Sequence, residues 1–331
     1  MEQVGNLKNN ILILSVLVLL FSCGEETKPV NTPTPPKVER KKATRPDFNA
    51  DSAYAFIKAQ VDFGPRVPNT TAHKKTSTYL VNKLTSFGLE VTEQEAQVTA
   101  YDGTKLNIKN IFGAFKPELN NRILLFSHWD SRPFADQDDE RQDEAILGAN
   151  DGASGVGILL EIARQIQQKA PTVGVDIAFF DAEDYGEKSG DINTWALGSQ
   201  YWAKTPHKMG YSANYGILLD MVGAKDAVFT KESHSMFYAK AYMEYVWNIA
   251  KDLGHDNHFV SRVTNFVGVD DHIPVNETAK IPSIDIIQFD NKNQGFGDYW
   301  HTHDDNMDVI DKETLQAVGE TVLAAVMMEG K

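Results

Sequence analysis

Arg122-Ile123-Leu124-Leu125-Phe126-Ser127-His128-Trp129-Asp130-Ser131 runs from an apolar stretch straight into polar residues that carry chemistry. Further on, Gly148-Ala149-Asn150-Asp151-Gly152-Ala153-Ser154-Gly155 opens a helical pattern over residues 153–168. A short apolar run, a polar loop and a helix together make the repeating unit of a sheet with helices on its faces. The apolar runs recur. Residues 173–180 lead into Asp181-Ala182-Glu183-Asp184, residues 215–219 into Asp220, and residues 284–289 toward Tyr299-Trp300-His301-Thr302-His303-Asp304-Asp305-Asn306. Upstream, Asp51 is placed to cap a helix to about residue 63, stopped by Gly64-Pro65-Arg66, and a second helix spans about 71–87 before Gly88. Residues 89–98 and 106–115, rich in β-branched side chains, read as an antiparallel pair at a sheet edge, and residues 235–253 and 312–328 as amphipathic helices. The expected fold is α/β, a three-layer α/β/α arrangement around a central mixed, mainly parallel sheet.

With 331 residues, 42% of them hydrophobic, the chain can bury a sizeable core. A formal charge of −14 without basic runs argues against nucleic-acid or anionic-membrane surfaces, and scattered acids such as Asp138, Asp139 and Glu140 read as plain solubility. Lys8 precedes an apolar run over residues 11–21, too short to span a bilayer and fitting the core of a signal peptide. It ends in Leu20-Phe21-Ser22-Cys23-Gly24, which resembles a bacterial lipobox, with cleavage before Cys23 and lipid on its thiol. Cys23 is the one cysteine, so export here implies no disulfide within the chain. Residues 24–46 hold five prolines and almost nothing apolar. The expected division is a signal peptide (1–22), a disordered tether (23–46) and a single catalytic α/β domain (47–331). The expected location is the cell envelope, lipid-anchored and facing the periplasm, with the chain a monomer that meets membrane only through its anchor.

In open α/β sheets ligands gather at the carboxyl ends of the strands. Read in order, those ends give His128, Asp151 before its helix, Glu183-Asp184, Asp220, then Asp270-Asp271-His272 and Trp300-His301. Each has a plainer reading on its own: Asp151 as a helix cap, Glu183-Asp184 as a solvated turn, Asp220 and Asp270 as loop acids, His301 as part of a polar loop. Together, so many like charges at one edge call for a cation. Carboxylates and imidazoles without cysteine suit zinc. Trp300 beside His301 suggests a dry wall, and the acids behind His301 a means of fixing its tautomer.

At these residues the chain resembles the glutaminyl-peptide cyclotransferases, which share a fold with the zinc-dependent aminopeptidases. The resemblance rests on Gly64-Pro65-Arg66, His128-Trp129-Asp130-Ser131, Asn150-Asp151-Gly152-Ala153, Glu183-Asp184, Leu219-Asp220-Met221, Asp270-Asp271-His272-Ile273-Pro274 and Trp300-His301-Thr302. It implies one zinc per chain on Asp151, Asp184 and His301, with Glu183 as general acid/base and Asp220 and Asp270 as a hydrogen-bonded acid network beside it. It implies pocket walls at Trp300 and Trp195, and N-terminal glutaminyl peptides and proteins as substrates. The family's acidic pair is usually two glutamates; here the second is Asp184, whose shorter arm ligates only if its backbone sits closer. The alternative is a two-zinc aminopeptidase using His128, Asp151, Asp184, Asp220 and His301. A binding protein that kept only the fold is disfavoured by the intact Glu183 and ligand set.

Overall fold

The computed structural model describes residues 41–188, 190–265, 268–289 and 295–330, so the signal peptide, Cys23 and nearly all of the proposed tether lie outside it. Residues Lys42–Lys331 form one compact unit. Its ordered chain starts ahead of residue 47: the Ala43 N–H donates to Asp252 Oδ2 at 2.9 Å, and Arg45 donates to the Leu253 carbonyl at 2.7 Å.

Two helices come first, α1 (Ala50–Val61) and α2 (Thr71–Ser86). Asn49, not Asp51, caps α1 by accepting from the Ser52 N–H, while Asp51 pairs with Lys312 at 2.7 Å. Strands β1 (Glu90–Thr99) and β2 (Lys105–Phe115) follow as an antiparallel pair. Then come β3 (Arg122–His128), α3 (Ala153–Gln168), β4 (Gly174–Phe180), α4 (Leu197–Lys204) and β5 (Gly216–Asp220). After these come β6 (Phe229–Glu232), α5 (Ser233–Tyr238), α6 (Lys240–Leu253), β7 (Phe259–Thr264), α7 (His272–Glu277), β8 (Ser283–Ile287) and α8 (Lys312–Met328). The single helix expected over residues 235–253 is thus two. Glu232 caps α5 through its carboxylate, and Ala239, at φ −138° and ψ 31°, breaks the helical path before α6.

The six-stranded sheet has the order β1-β2-β4-β3-β5-β8, with β4, β3, β5 and β8 mutually parallel and β1 and β2 antiparallel at one edge. β3, β4 and β5 are buried along their whole length because both faces are covered. Ile123 and Leu125 join the core with α1, α3 and α8, while Leu124 and Phe126 pack on the opposite face with Trp202 and Val275. β6 and β7 form a separate parallel pair. Along the sheet the order reverses at β3: β4 lies to one side and β5 to the other, so their carboxyl ends open onto a shared crevice.

Candidate metal centre and active site

Asp151 is delivered to that crevice by the turn into α3. Gly152, at φ +90°, caps the helix without a side chain, and a Cβ there would sit 2.5 Å from the Asp130 carbonyl. The aspartate is therefore released from capping. Its backbone is held instead by Asp305, whose two oxygens accept from the Asn150 N–H at 2.7 Å and the Asp151 N–H at 3.0 Å. At the end of β4, Asp130 does the same for the acidic pair, accepting from the Glu183 N–H at 3.1 Å and the Asp184 N–H at 3.2 Å. Asp220 ends β5. His301 lies in turns well beyond β8, at φ +57°.

One oxygen or nitrogen each from Asp151, Asp184 and His301 lie mutually within 4.8 Å, and all three residues are buried. His301 Nε2 is 3.2 Å from Asp184 Oδ1 and 3.6 Å from Asp151 Oδ2. His301 Nδ1 faces Asp136 Oδ1 at 3.3 Å, which turns Nε2 toward the two aspartates. Neither buried oxygen of Asp184 has a hydrogen-bond partner; His301 Nε2 and Arg132 Nη1 stand 3.2 and 3.6 Å from its Oδ1. Buried carboxylate oxygens left this way are costly unless a cation meets them, and an oxygen–oxygen–nitrogen set without sulfur suits zinc.

His128, Asp151 and Asp220 form a second set. His128 Nε2 lies 3.0 Å from Asp151 Oδ1 and 3.1 Å from Asp220 Oδ1. Burial alone would lower the His128 pKa, yet bonds to Asp130, Asp151 and Asp220 outweigh it and raise it well above the usual value. Asp270, His272 and Asp285, all buried, form a third set, of which Asp270 reaches the cavity over the first set.

A cavity of about 260 Å³ opens over the first set, lined by Asp151, Glu183, Asp184, Asp220, Asp270, Trp195, Phe296, Trp300 and His301 among others. All the residues expected of the one-zinc site therefore line this cavity, whereas His128, expected of the two-zinc alternative, does not. Trp300 stacks on His301 with ring centres 3.8 Å apart and Trp195 lies nearly parallel to it at 6.0 Å. Burial pushes the Glu183 pKa well above the carboxylate range, opposed by His128 and reinforced by Asp270 and Asp184. Burial and then the charge of Asp220 push Asp270 up to about 7.

Residues 110–326 match peptidase family M28, a span that contains the whole crevice. The chain belongs to peptidase family M28. Among solved structures, glutaminyl cyclase of Tannerella forsythia is 54% identical with a TM-score of 0.84, covering 86% of this chain and 100% of that one. Glutaminyl cyclase of Bacteroides thetaiotaomicron, bound to N-acetylhistamine, is 51% identical with a TM-score of 0.84, covering 87% and 100%. Aminopeptidase YwaD of Bacillus subtilis (strain 168) is 28% identical over 270 residues, 79% of this chain; the chain spans about half of that protein, 53%.

Within this M28 chain, several residues at the site carried no recognisable signal. The acids just behind His301 were expected to fix its tautomer, but Asp136, from a distant loop, faces its Nδ1. Asp305 holds the Asn150-Asp151 backbone instead. Asp138, read as plain solubility, accepts from both the N–H and Nδ1 of His303, at 2.9 and 2.8 Å. Arg132 and Asp130 also went unassigned. Nothing in the loop's run of acids marks which one turns inward.

Proposed function

We propose that this M28 chain is a glutaminyl-peptide cyclotransferase, turning N-terminal glutamine of peptides and proteins into pyroglutamate with release of ammonia, with one zinc on Asp151, Asp184 and His301. The observation that carries the reading is the buried Glu183, its pKa raised, on the wall of a small cavity flanked by Trp195 and Trp300 over that ligand set. Zinc bound there would act as a Lewis acid toward the γ-carbonyl of the substrate glutamine and the negative charge developing on it. The α-amine attacks that carbonyl from within the same residue, so the substrate itself supplies proximity. Glu183 accepts a proton from the attacking amine and returns it to the former amide nitrogen as ammonia leaves. Asp270 and Asp220 line the same cavity, and the charges of Asp270 and Asp184 on Glu183 favour its protonated form between those transfers. Trp195 and Trp300 keep water from competing with the amine.

One observation favours a second reading. The His128–Asp151–Asp220 set would accept another zinc, as a two-zinc aminopeptidase requires. The discriminating assay offers the zinc-loaded protein a Gln-initiated peptide and a Leu-initiated chromogenic amide. Ammonia from the first without cleavage of the second supports the cyclase, and the reverse overturns it. The lipobox-like Leu20–Gly24 stretch carries a further proposal, that the chain is lipid-anchored at Cys23 in the cell envelope. Cys23→Ser should then release active protein from membranes, and a variant still membrane-bound after carbonate washing refutes the anchor.

A further inference from the structure

Arg132 takes no part in the chemistry above, yet it is 1% exposed and reaches three parts of the site at once. Its Nε and Nη2 donate to the two oxygens of Asp136 at 3.2 and 2.6 Å. Its Nη1 donates to the carbonyls of Asp184 and Gly186 at 2.9 and 3.1 Å. The guanidinium carbon also stands 4.6 Å from the centre of the Trp195 ring. Each contact leads to a different element: the backbone of Asp184, whose Oδ1 also stands 3.6 Å from Nη1, the carboxylate that orients His301, and a wall of the cavity.

We infer that Arg132 is a positioning residue that couples metal holding to the substrate wall. It rests on the reading of Asp184 and His301 as ligands. Asp184 has a short side chain, so its carboxylate reaches the ligand set only if its backbone is held close, and the Nη1 bond to its carbonyl sets that distance. Asp136 is held two-pronged, so its Oδ1 keeps one position against His301 Nδ1 and the imidazole presents Nε2 to the metal. The same planar cation, 4.6 Å from the Trp195 ring centre, holds that ring in place. Lysine cannot substitute, because a point charge with three rotatable donors does not span a carboxylate fork and two carbonyls in one plane.

A brace for the 132–147 loop alone would change stability and leave zinc affinity and KM in place. The test is Arg132→Lys in the full chain, with zinc affinity read by chelator competition and kinetics on a Gln-initiated peptide at saturating zinc. The expected result is zinc bound roughly 10–100-fold more weakly. KM should rise by up to about tenfold as Trp195 loosens, with kcat little changed. Asp136→Asn should weaken zinc over the same range but leave KM near wild type, because it does not touch Trp195. The double variant should bind zinc no more weakly than the weaker single one. A folded Arg132→Lys whose zinc affinity and KM both stay within twofold of wild type overturns the inference. If that variant does not fold, Asp136→Asn decides, and unchanged zinc affinity again overturns it. Absence of ammonia from the wild type would instead sink the proposed reaction, while the chelator measurement still reports on Arg132.

Discussion

Replacing Asp270 by asparagine should stabilise the metal-free protein above neutrality while slowing turnover. Asp270 is 6% exposed, and burial, then the charge of Asp220, lift its pKa from 3.8 to about 7 against the opposing charges of His272 and His128. A carboxyl whose pKa is raised by folding contributes fully to stability below its unfolded pKa and loses that contribution as pH climbs through the folded one. The gap is about 3 units, which at 1.36 kcal/mol per unit sets an upper limit of about 4 kcal/mol on what removing the charge recovers at pH 8. At pH 5 the same difference amounts to about 1.5 kcal/mol, so the gain should grow by about 2–3 kcal/mol between the two pH values. The amide oxygen can still accept from the Asp271 N–H, but Oδ2 has no partner, and an NH₂ in its place must find one. The assay is thermal unfolding in a chelating buffer at pH 5 and pH 8, where each kcal/mol moves Tm by about 2–4 °C in a chain of this size. A gain that is absent, or equal at the two pH values, refutes the claim that Asp270 is held as a strained acid.

Glu183→Gln should cut turnover by roughly 10²–10⁴-fold with zinc content unchanged, whereas Asp184→Ala should lose zinc and activity together and regain part of both with added zinc. Zinc retention and kinetics read the pair, and the opposite pattern reverses the two roles. Gly186→Ala should raise KM sharply, because a Cβ there would lie 1.9 Å from the Trp195 ring and push that wall out of place; an unchanged KM would show the wall is not used. Elemental analysis at pH 6 should give about one zinc per chain, since His128 as a cation already neutralises Asp220, and a second zinc should bind more readily as pH rises and that proton leaves. Two tightly held zincs at pH 6 would move the assignment to the aminopeptidase.

The parallel strands were legible because both faces are covered, leaving runs such as Ile123–Phe126 continuously apolar with polar residues at the exit. Helices α3 and α8 were readable end to end, since glycine and aspartate punctuate them. The failures have local causes. Helix α1 starts one residue before Asp51 because Asn49 offers a side-chain oxygen at the right spacing. The break at Ala239 follows no glycine or proline, and α7, six residues long with Pro274 in its first turn, is too short to show a period. At the site, residues at strand exits could be found because topology gathers them. Asp136, Arg132 and Asp305 could not, because each acts across a long sequence separation on a backbone or a ring that only the folded chain brings near.

Asp151 is the joint of the arrangement. Its Oδ1 faces His128 Nε2 at 3.0 Å and its Oδ2 faces His301 Nε2 at 3.6 Å, so one carboxylate contributes an oxygen to each set. With a cation in only one set, the other must be neutralised by a proton, and His128, wedged between Asp151 and Asp220 with its pKa raised, is the group that takes it. Burial also lifts the pKa of Glu183 and Asp270 on the cavity wall and of Asp220 beside His128. On the proposed reading, the choice between one ion and two then turns on the protonation of His128. As an imidazolium it occupies the second set as a charge; as a neutral ring it becomes a ligand.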